Sequence, residues 1–521
     1  EYIFKINKNA KWSNGEPVTA DDFVWSWKRI LTPSLGSQYP DMLYYLEGAM
    51  EYHTYISPKD ELTLLKNQAD DLRETRQPLM VNLNELKNKE ISSLTTFEIE
   101  RIQTLENGIN KLNLRLNLLL PKIERLSGMK DDRPSFDTVG VKAIDKFTLK
   151  VNLKNPTPFF LGLLSHYSTW PVHKETVLKY GDIDDRNGEW TRPGNFVCNG
   201  PFQLKSWELN SKIIVDKNPF YWDAKKVKLN EIHFYPVQNT MTEDRMFRAG
   251  QLHLTSSLPS QKCPIYIEEN NPNLRIDPYM GTYFYRFNTK HPVLKDVKVR
   301  KALAYAINRT QLVEKVTKCG QIPAYSFTPP GSAGYQPDTE IKYDPLLAKQ
   351  LLVEAGYSNP EDFPKLEILF NTNEDHRKVA LAIQQMWQQN LGISVELVNQ
   401  DWKVYLSREM VGDFQVSRAG WIGDYEDPNT FLDLMRPNRG NNKTGWENSE
   451  YDLLVAKANT TNDQQERYKM LNEAEKILIE NMPIIPLYTY VRNYQLSSDV
   501  KGYNPHILDH HHPKFIYLER E

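Results

Sequence analysis

The spacing of hydrophobic and polar residues changes several times along the chain, and each spacing predicts a different element. Short apolar or alternating segments are typical of strands, at 213–215, 232–235, 283–287, 366–370 and 393–397. Between them, apolar residues three or four positions apart predict helices. Helix starts are marked by Thr19 before Ala-Asp-Asp22 and by Asp344 before Pro345. Strands and helices mixed over several hundred residues predict an α/β fold with more than one lobe.

Residues 58–134 follow a different pattern, in which apolar residues recur in sevens. One series runs from Leu62 to Leu86 and a second from Ile102 to Leu126. Thr95-Thr-Phe-Glu98, between the two series, has the form of a capping box. Two narrow apolar stripes predict an antiparallel coiled-coil hairpin. The alternative is two helices lying flat on a globular body, which normally requires a wider apolar face.

Length and charge limit the function classes. The chain has 521 residues, more than a single core usually accommodates. Its 64 Lys and Arg nearly balance 67 Asp and Glu, for a net charge of −3, so no basic excess exists for a nucleic-acid partner. No apolar run approaches the roughly 18 residues of a membrane span. Cys198, Cys263 and Cys319 have no metal-ligand spacing and allow at most one disulfide; we expect three buried or unpaired thiols.

The motifs of common enzymes are absent from the sequence. There is no nucleophile elbow, P-loop, dinucleotide fingerprint or zinc-protease motif, and we expect neither enzymatic activity nor a cofactor. The densest cluster of unusual residues is 418–431, which follows an apparent strand, Phe414–Ser417. Asp424 could hold a ligand ammonium and Arg418 a carboxylate. The residues alone favour a simpler interpretation, with Asp424 in a turn and Arg418 in an internal ion pair.

Several segments resemble the periplasmic oligopeptide-binding proteins of ABC importers, family 5 of the solute-binding proteins. The similarity begins with Ala10-Lys-Trp-Ser-Asn-Gly-Glu-Pro-Val-Thr-Ala-Asp-Asp-Phe-Val-Trp-Ser-Trp27. It continues, in the family's order, through Asn199–Phe202, Asn218–Trp222, Asp296–Arg309, Ala324–Pro330, Arg418–Trp421 and Asp424-Tyr425. The resemblance spans the chain except for roughly residues 57–134.

This resemblance implies a class II periplasmic-binding-protein fold, with two lobes, three subdomains and, here, the inserted hairpin. We expect a small outer subdomain of residues 1–57 and 135–175 and a hairpin of residues 58–134. The remainder divides into lobe I, residues 176–280 and 490–521, and lobe II, residues 281–489. The implied function is that of an extracytoplasmic receptor, periplasmic or at the cell surface. It would bind extended peptides between its lobes and deliver them to an ABC permease.

The resemblance also favours a ligand role for the cluster at 418–431. Asp424 is similar to the acid that receives the peptide amino group, and Arg418 and His376 to the bases that receive the carboxylate. Residues 371–376 could equally form a solvated turn. Trp421 and Trp402 resemble the walls of side-chain pockets. The backbone of residues 418–424 would pair with the ligand. The expected peptide-binding residues are therefore Asp424, Arg418, Trp421, His376, Trp402, Gly420, Ile422 and Tyr425.

The sequence departs from the family pattern in several places. Two family cysteines would fall at Gly281 and Ile422, so their cross-link is absent, and a family lysine falls at Thr317. The chain opens within a strand, at Glu1-Tyr-Ile-Phe-Lys-Ile, without a Met or an apolar leader. We therefore expect an N-terminally truncated chain whose signal peptide is not present. Peripheral membrane association through a missing N-terminal lipid anchor is compatible with this expectation.

Two other functions stay open from the sequence. The first is an interaction or scaffold protein that acts through the coiled-coil hairpin. The second is a nickel-type metal receptor of the same fold that uses His506 and His510–His512, although a surface turn is the simpler interpretation of these histidines.

Overall fold

The computed structural model of the protein describes residues 1–90, 93–130, 132–437 and 441–519. The chain forms two compact units, one of Glu1–Glu47 with Gly140–Glu521 and the other of Gly48–Val139. The predicted hairpin lies within the second unit, although its residues 91, 92 and 131 lie outside the described residues. The same holds for residues 520 and 521 of predicted lobe I. The subdomain boundaries expected from the sequence stay predictions.

Strands and helices alternate through the first unit, as the sequence predicts for an α/β fold. The strands are β1 (Tyr2–Lys5), β2 (Val141–Asp145), β3 (Thr148–Val151), β4 (Phe202–Glu208), β5 (Lys212–Lys217), β6 (Glu231–Phe234), β7 (Leu274–Phe287), β8 (Ile322–Pro323), β9 (Leu366–Asn371), β10 (Val395–Gln400), β11 (Val416–Ile422), β12 (Ile484–Gln495), β13 (Val500–Lys501) and β14 (Tyr517–Leu518). They form sheets in the orders β1-β3-β2, β4-β5-β6, β10-β9-β11-β7-β12-β8 and β13-β14.

The helices are distributed over both units. Those of the second unit are α2 (Ala49–Thr54), α3 (Pro58–Lys87) and α4 (Thr96–Leu126). Those of the first unit are α1 (Ala20–Leu31), α5 (Phe160–Leu163), α6 (Lys174–Lys179), α7 (Thr240–Arg248), α8 (Cys263–Glu268), α9 (Val297–Tyr305), α10 (Arg309–Gln311), α11 (Pro345–Glu354), α12 (Glu374–Leu391), α13 (Trp402–Val411), α14 (Asn429–Leu432), α15 (Ser449–Thr460) and α16 (Gln464–Asn481). Within the described residues, no helix combines the length and apolarity that a membrane crossing requires.

The six-stranded sheet carries a hydrophobic core on each face. Its central strand β7 is buried on both sides because side chains alternate between the two faces. Tyr283 and Tyr285 join a core that includes Trp387 of α12. Phe284 points the other way and joins a core that includes Leu471 of α16. Strands that are buried on both faces have continuous apolar sequences, and the sequence therefore predicts β9 and the buried second half of β7. The first half of β7, from Leu274, is less buried and was not predicted.

Strand β11 extends further than its sequence predicts. It was expected to end at Ser417, but it runs from Val416 to Ile422 and pairs with β7 along its whole length. Pairing with β9 covers only Val416 and Ser417. The prediction failed because Gly420 weakens the local strand signal, whereas pairing with a neighbouring strand decides the outcome.

Two of the three cysteines are joined, which corrects the expectation of three unpaired or buried thiols. Cys263 and Cys319 form a disulfide with a Cα–Cα distance of 5.5 Å, and Cys198 is free. Cys263 begins α8, and both sulfurs lie in a small core with Leu258 and Tyr266. The two cysteines are 56 residues apart, so only the tertiary fold brings them together.

The two long helices of the second unit pair in opposite directions, as the sequence predicts. Arg76 on α3 donates to Asn113 on α4 over 2.7 Å, and Lys87 lies 2.5 Å from Glu106, nearer the connection. Thr95 and Glu98 form the predicted capping box at the start of α4. The supercoiling that would make this pair a coiled coil stays a prediction.

Candidate functional site

The carboxylate of Asp424 is nearly buried, and no cation among the described residues neutralises it. Asp424 follows β11, its backbone N–H donates to Thr430 Oγ1 over 3.0 Å, and its side chain is 14% exposed. His166 Nε2 lies 3.6 Å from Asp424 Oδ1. Burial, and then repulsion from His510, lower the pKa of His166 to about 4, so this imidazole is neutral at pH 7. Burial, and then the charge of Asp41, raise the pKa of Asp424 to about 7.

A small cavity that is open to solvent lies beside this carboxylate. Its wall is rich in carboxylates, phenols and amides: Tyr39, Asp41, Met42, Tyr45, Trp421, Asp424, Tyr425, Asn429, Thr430, Asp433, Leu434 and Asn441. The Trp421 indole is fixed by a 2.8 Å hydrogen bond from its Nε1 to the Thr430 carbonyl. Trp421 therefore forms part of the wall of this cavity, and its role against a ligand side chain stays a prediction.

Arg418 lies near the start of β11 and contacts only neutral acceptors among the described residues. Its Nη1 donates to Asn371 Oδ1 over 3.3 Å and its Nη2 to the Tyr490 hydroxyl over 3.1 Å. The guanidinium also lies over the Tyr283 ring, 4.9 Å from its centroid. The internal ion pair that composition alone favoured is thus not formed within the described residues. A carboxylate brought by a ligand would meet an uncompensated cation.

His376 lies beside Arg418 but contributes no charge. It occupies the first turn of α12, where its backbone N–H donates to Asn373 Oδ1, rather than a free solvated turn. Its ring centroid is 5.6 Å from that of Tyr283. Burial, and then the charge of Arg418, lower the pKa of His376 to about 2. His376 can therefore offer a ligand a neutral N–H donor, whereas the positive charge belongs to Arg418.

The backbone between these two charges has an edge that pairs with no strand of the described residues beyond Ser417. Gly423 N–H donates to Met280 O, which fixes the alternation between β11 and β7. Arg418, Gly420 and Ile422 therefore direct their backbone groups away from β7, towards the side that β9 covers only at Val416 and Ser417. The Arg418 carbonyl already accepts a hydrogen bond from the Tyr405 hydroxyl. The backbone groups of Gly420 and Ile422 are the ones that an extended ligand could pair with.

Trp402 and Tyr425 differ strongly in exposure. Trp402 opens α13, is 55% exposed and stacks on Tyr405 at 5.5 Å, close to Arg418. Tyr425 is only 4% exposed and stacks on Phe159 at 5.5 Å. Its hydroxyl accepts from Asn429 Nδ2, and the residue contributes one buried side of the cavity wall.

The fold thus gathers the expected residues at two ends of one strand. Asp424, Trp421 and Tyr425 lie at the cavity, and Arg418, His376 and Trp402 lie at the other end. Sequence reasoning missed Tyr39, Asp41, His166, Asn429 and Tyr490. Tyr39 and His166 come from segments more than 250 residues before Asp424, and no local pattern distinguishes them.

The histidines near the end of the chain do not assemble a metal site among the described residues. His506 and His510 stack at 5.3 Å, and His511 Nε2 lies 2.9 Å from Asp509 Oδ1. The group of ligand atoms that does come together, all within 4.8 Å of one another, belongs to Glu16, His173 and Glu175.

Comparison with known proteins gives one consistent family. The model of the bacterial extracellular solute-binding proteins, family 5 (middle), matches residues 1–443. The oligopeptide-binding protein OppA of Bacillus subtilis is 33% identical over 515 residues, which cover 96% of this chain and 79% of that protein.

Solved structures agree with this assignment. The murein tripeptide binding protein MppA of Escherichia coli has a TM-score of 0.78 at 31% identity, covering 100% of this chain and 87% of the other. Haemophilus influenzae OppA in complex with RPPGFSPFR has a TM-score of 0.76 at 30% identity, covering 99% and 87%. The chain belongs to family 5 of the bacterial extracellular solute-binding proteins, a family of binding proteins, and has their two-lobed α/β fold.

Proposed function

We propose that this protein is an extracytoplasmic receptor that binds short peptides in extended form and delivers them to an ABC permease for import. The observation that carries the proposal is a pair of opposite charges, Asp424 and Arg418, near the two ends of β11. Neither has a counter-charge within the part of the chain that the structure describes. A zwitterionic peptide supplies the counter-charge for each. Burying such charges is costly unless partners of opposite sign meet them.

The spacing of these charges fits a short peptide. Asp424 lies six positions after Arg418, which at the spacing of a strand is roughly 20 Å, and the Arg418 side chain reduces the gap that a ligand must span. An extended peptide covers at most ~3.6 Å per residue. Peptides of about three to six residues would therefore reach both charges while pairing with the backbone of Gly420 and Ile422.

Relatives support peptides as the ligand class. The Bacillus subtilis and Haemophilus influenzae proteins are called oligopeptide-binding. The structure of the second was solved with a nine-residue peptide. The Escherichia coli relative is a murein tripeptide binding protein, so a cell-wall peptide is a member of the proposed ligand class.

Closure about a hinge follows from the proposed division into lobes. The boundaries expected from the sequence, 280/281 and 489/490, both fall within the long strands β7 and β12. Paired strands of this kind can bend as a unit while the lobes close around a ligand. A periplasmic or cell-surface location agrees with the Cys263–Cys319 disulfide, because oxidising compartments preserve such bonds. Attachment by a lipid anchor belongs to the same proposal.

Native mass spectrometry of the purified chain, followed by calorimetry with synthetic tri- to hexapeptides, tests the proposal. We expect bound peptides and saturable binding. The same titration on a variant with residues 58–126 replaced by a short Gly-Ser linker separates the scaffold hypothesis from ours. Unchanged peptide affinity supports the receptor, and the absence of peptide binding by the intact chain contradicts it.

A further inference from the structure

Three side chains that can bind a metal ion meet at the surface of the first unit. Glu16 lies in the segment before α1, and His173 and Glu175 lie at the start of α6. One ligand atom from each of the three lies within 4.8 Å of the other two. His173 Nε2 is 2.6 Å from Glu16 Oε2 and 3.6 Å from Glu175 Oε2. One imidazole and two carboxylates are ligands that zinc takes in proteins.

The separations of these atoms suit a tetrahedral ion. Zinc bonds of about 2.0–2.2 Å to nitrogen and oxygen place neighbouring ligand atoms roughly 3.3–3.6 Å apart. The distance from His173 to Glu175 is already at the upper end of this range, and the shorter one to Glu16 must widen by roughly 1 Å or less. Both glutamates can make this adjustment, because their side chains are 57% and 66% exposed.

The second nitrogen of the imidazole gives an observation that is independent of the two acids. His173 is 4% exposed, and the ring of Trp12 packs against it edge-on with the centroids 5.2 Å apart. His173 Nδ1 lies 2.7 Å from Thr176 Oγ1, which accepts a hydrogen bond from a protonated Nδ1. Histidines that bind metals usually donate their second N–H in this way, which fixes the ring and leaves Nε2 for the ion. The proton that the ion displaces from Nε2 passes to water.

We propose that Glu16, His173 and Glu175 form a zinc site whose fourth ligand is a water molecule. Mg²⁺ and Ca²⁺ fit this set poorly, because they require six or more ligands, nearly all of them oxygen atoms. The exposed glutamates give the ion a path of entry from solvent. Bound zinc would join two segments that are 157 residues apart in the chain. The inference does not depend on the proposed peptide-binding function.

A zinc titration of the intact, metal-stripped chain at pH 7.5 tests the site. We expect calorimetry to show saturable binding at micromolar zinc. A roughly 100-fold excess of Mg²⁺ should leave this binding in place, because Mg²⁺ dehydrates reluctantly and favours an octahedral set of oxygen ligands. The Tm should also rise with zinc concentration, since an ion that binds only the folded chain stabilises it by mass action.

Two variants assign the ion to these residues. Glu16→Gln combined with Glu175→Gln removes two exposed ligands, and His173→Asn removes the imidazole but keeps a good N-cap residue for α6. Each variant should lower the zinc affinity at least ~10-fold, the loss that removal of a supporting group alone can cause, and should abolish the zinc-dependent rise in Tm. Glu189→Gln, at an exposed position outside the cluster, should bind zinc as the wild type does.

The Tm of each variant in EDTA separates a loss of zinc binding from a loss of folding. A purely structural contact between Glu16 and His173 would change this Tm but would give no response to zinc. Wild-type zinc affinity in both variants would overturn the proposal and assign the ion to other groups, such as His506 and His510–His512. No saturable binding to the wild-type chain at micromolar zinc would overturn it as well.

Discussion

Replacing Asp424 with Asn should separate ligand binding from stability. The change keeps the shape of the side chain and removes its charge. Losing one partner of a buried, hydrogen-bonded charge pair costs about 2–5 kcal/mol of binding free energy. The dissociation constant for a peptide with a free amine should therefore rise by roughly 30-fold to several thousand-fold. Calorimetry at pH 7.5 measures this change.

The same substitution should not destabilise the ligand-free protein, although it weakens ligand binding. The pKa of Asp424 rises from 3.8 to about 7 on folding, mainly through burial. For an acid whose pKa is raised, ionisation opposes folding, and the penalty grows as the pH increases from about 4 to about 7. Above this range it reaches ~4 kcal/mol. Asp424→Asn removes this penalty, less the cost of burying the amide. The Tm of the ligand-free variant at pH 8 should thus equal or exceed that of the wild type. A large drop in Tm, or a peptide affinity within twofold of the wild type, would refute the reasoning.

Three further predictions follow from the same site. Binding needs an ionised Asp424 and a protonated peptide amine, and the amine gains protons as the pH falls while Asp424 loses its charge. Affinity should therefore fall roughly 15- to 20-fold between pH 7.5 and 5.5, and this fall should be absent in Asp424→Asn. A flat profile in the wild type would contradict the raised pKa. Arg418→Met should weaken binding of short peptides with a free carboxylate at least tenfold but leave their C-terminal amides nearly unaffected, whereas equal losses would point to a packing role. Gly420→Ala should destabilise the fold by about 1–3 kcal/mol in denaturant titrations, because its Cβ would meet the Tyr490 hydroxyl. Tyr490→Phe in the same chain should recover most of that loss, and no recovery would rule out this contact as the cause.

Local structure was the part of the fold best predicted from the sequence. The capping box of Thr95 and Glu98, the start of α11 after Asp344 and the alternation in β7 are each determined by neighbouring residues. The end of β11 was missed because its pairing with β7 is a long-range interaction. The Cys263–Cys319 disulfide was missed for the same reason.

The residues of the candidate site also fall into those that a local motif can reveal and those that only the tertiary fold brings together. Asp424, Arg418 and Trp421 lie within a few positions of one another, so a motif could identify them as a group. Tyr39 and His166 meet Asp424 only after the chain has folded, and a neutral histidine next to a buried acid leaves no trace in local sequence. The electrostatic state of His376 also depends on its burial and on Arg418, neither of which spacing reveals.

Blocking the peptide amine tests most directly the claim that Asp424 recognises a ligand cation. Affinities of one tetrapeptide and its N-acetylated form can be compared by calorimetry at pH 7.5, where Asp424 is largely ionised. We predict that acetylation weakens binding to the wild-type protein at least tenfold and has little further effect in Asp424→Asn. Equal affinity of the two peptides for the wild-type protein would contradict the account.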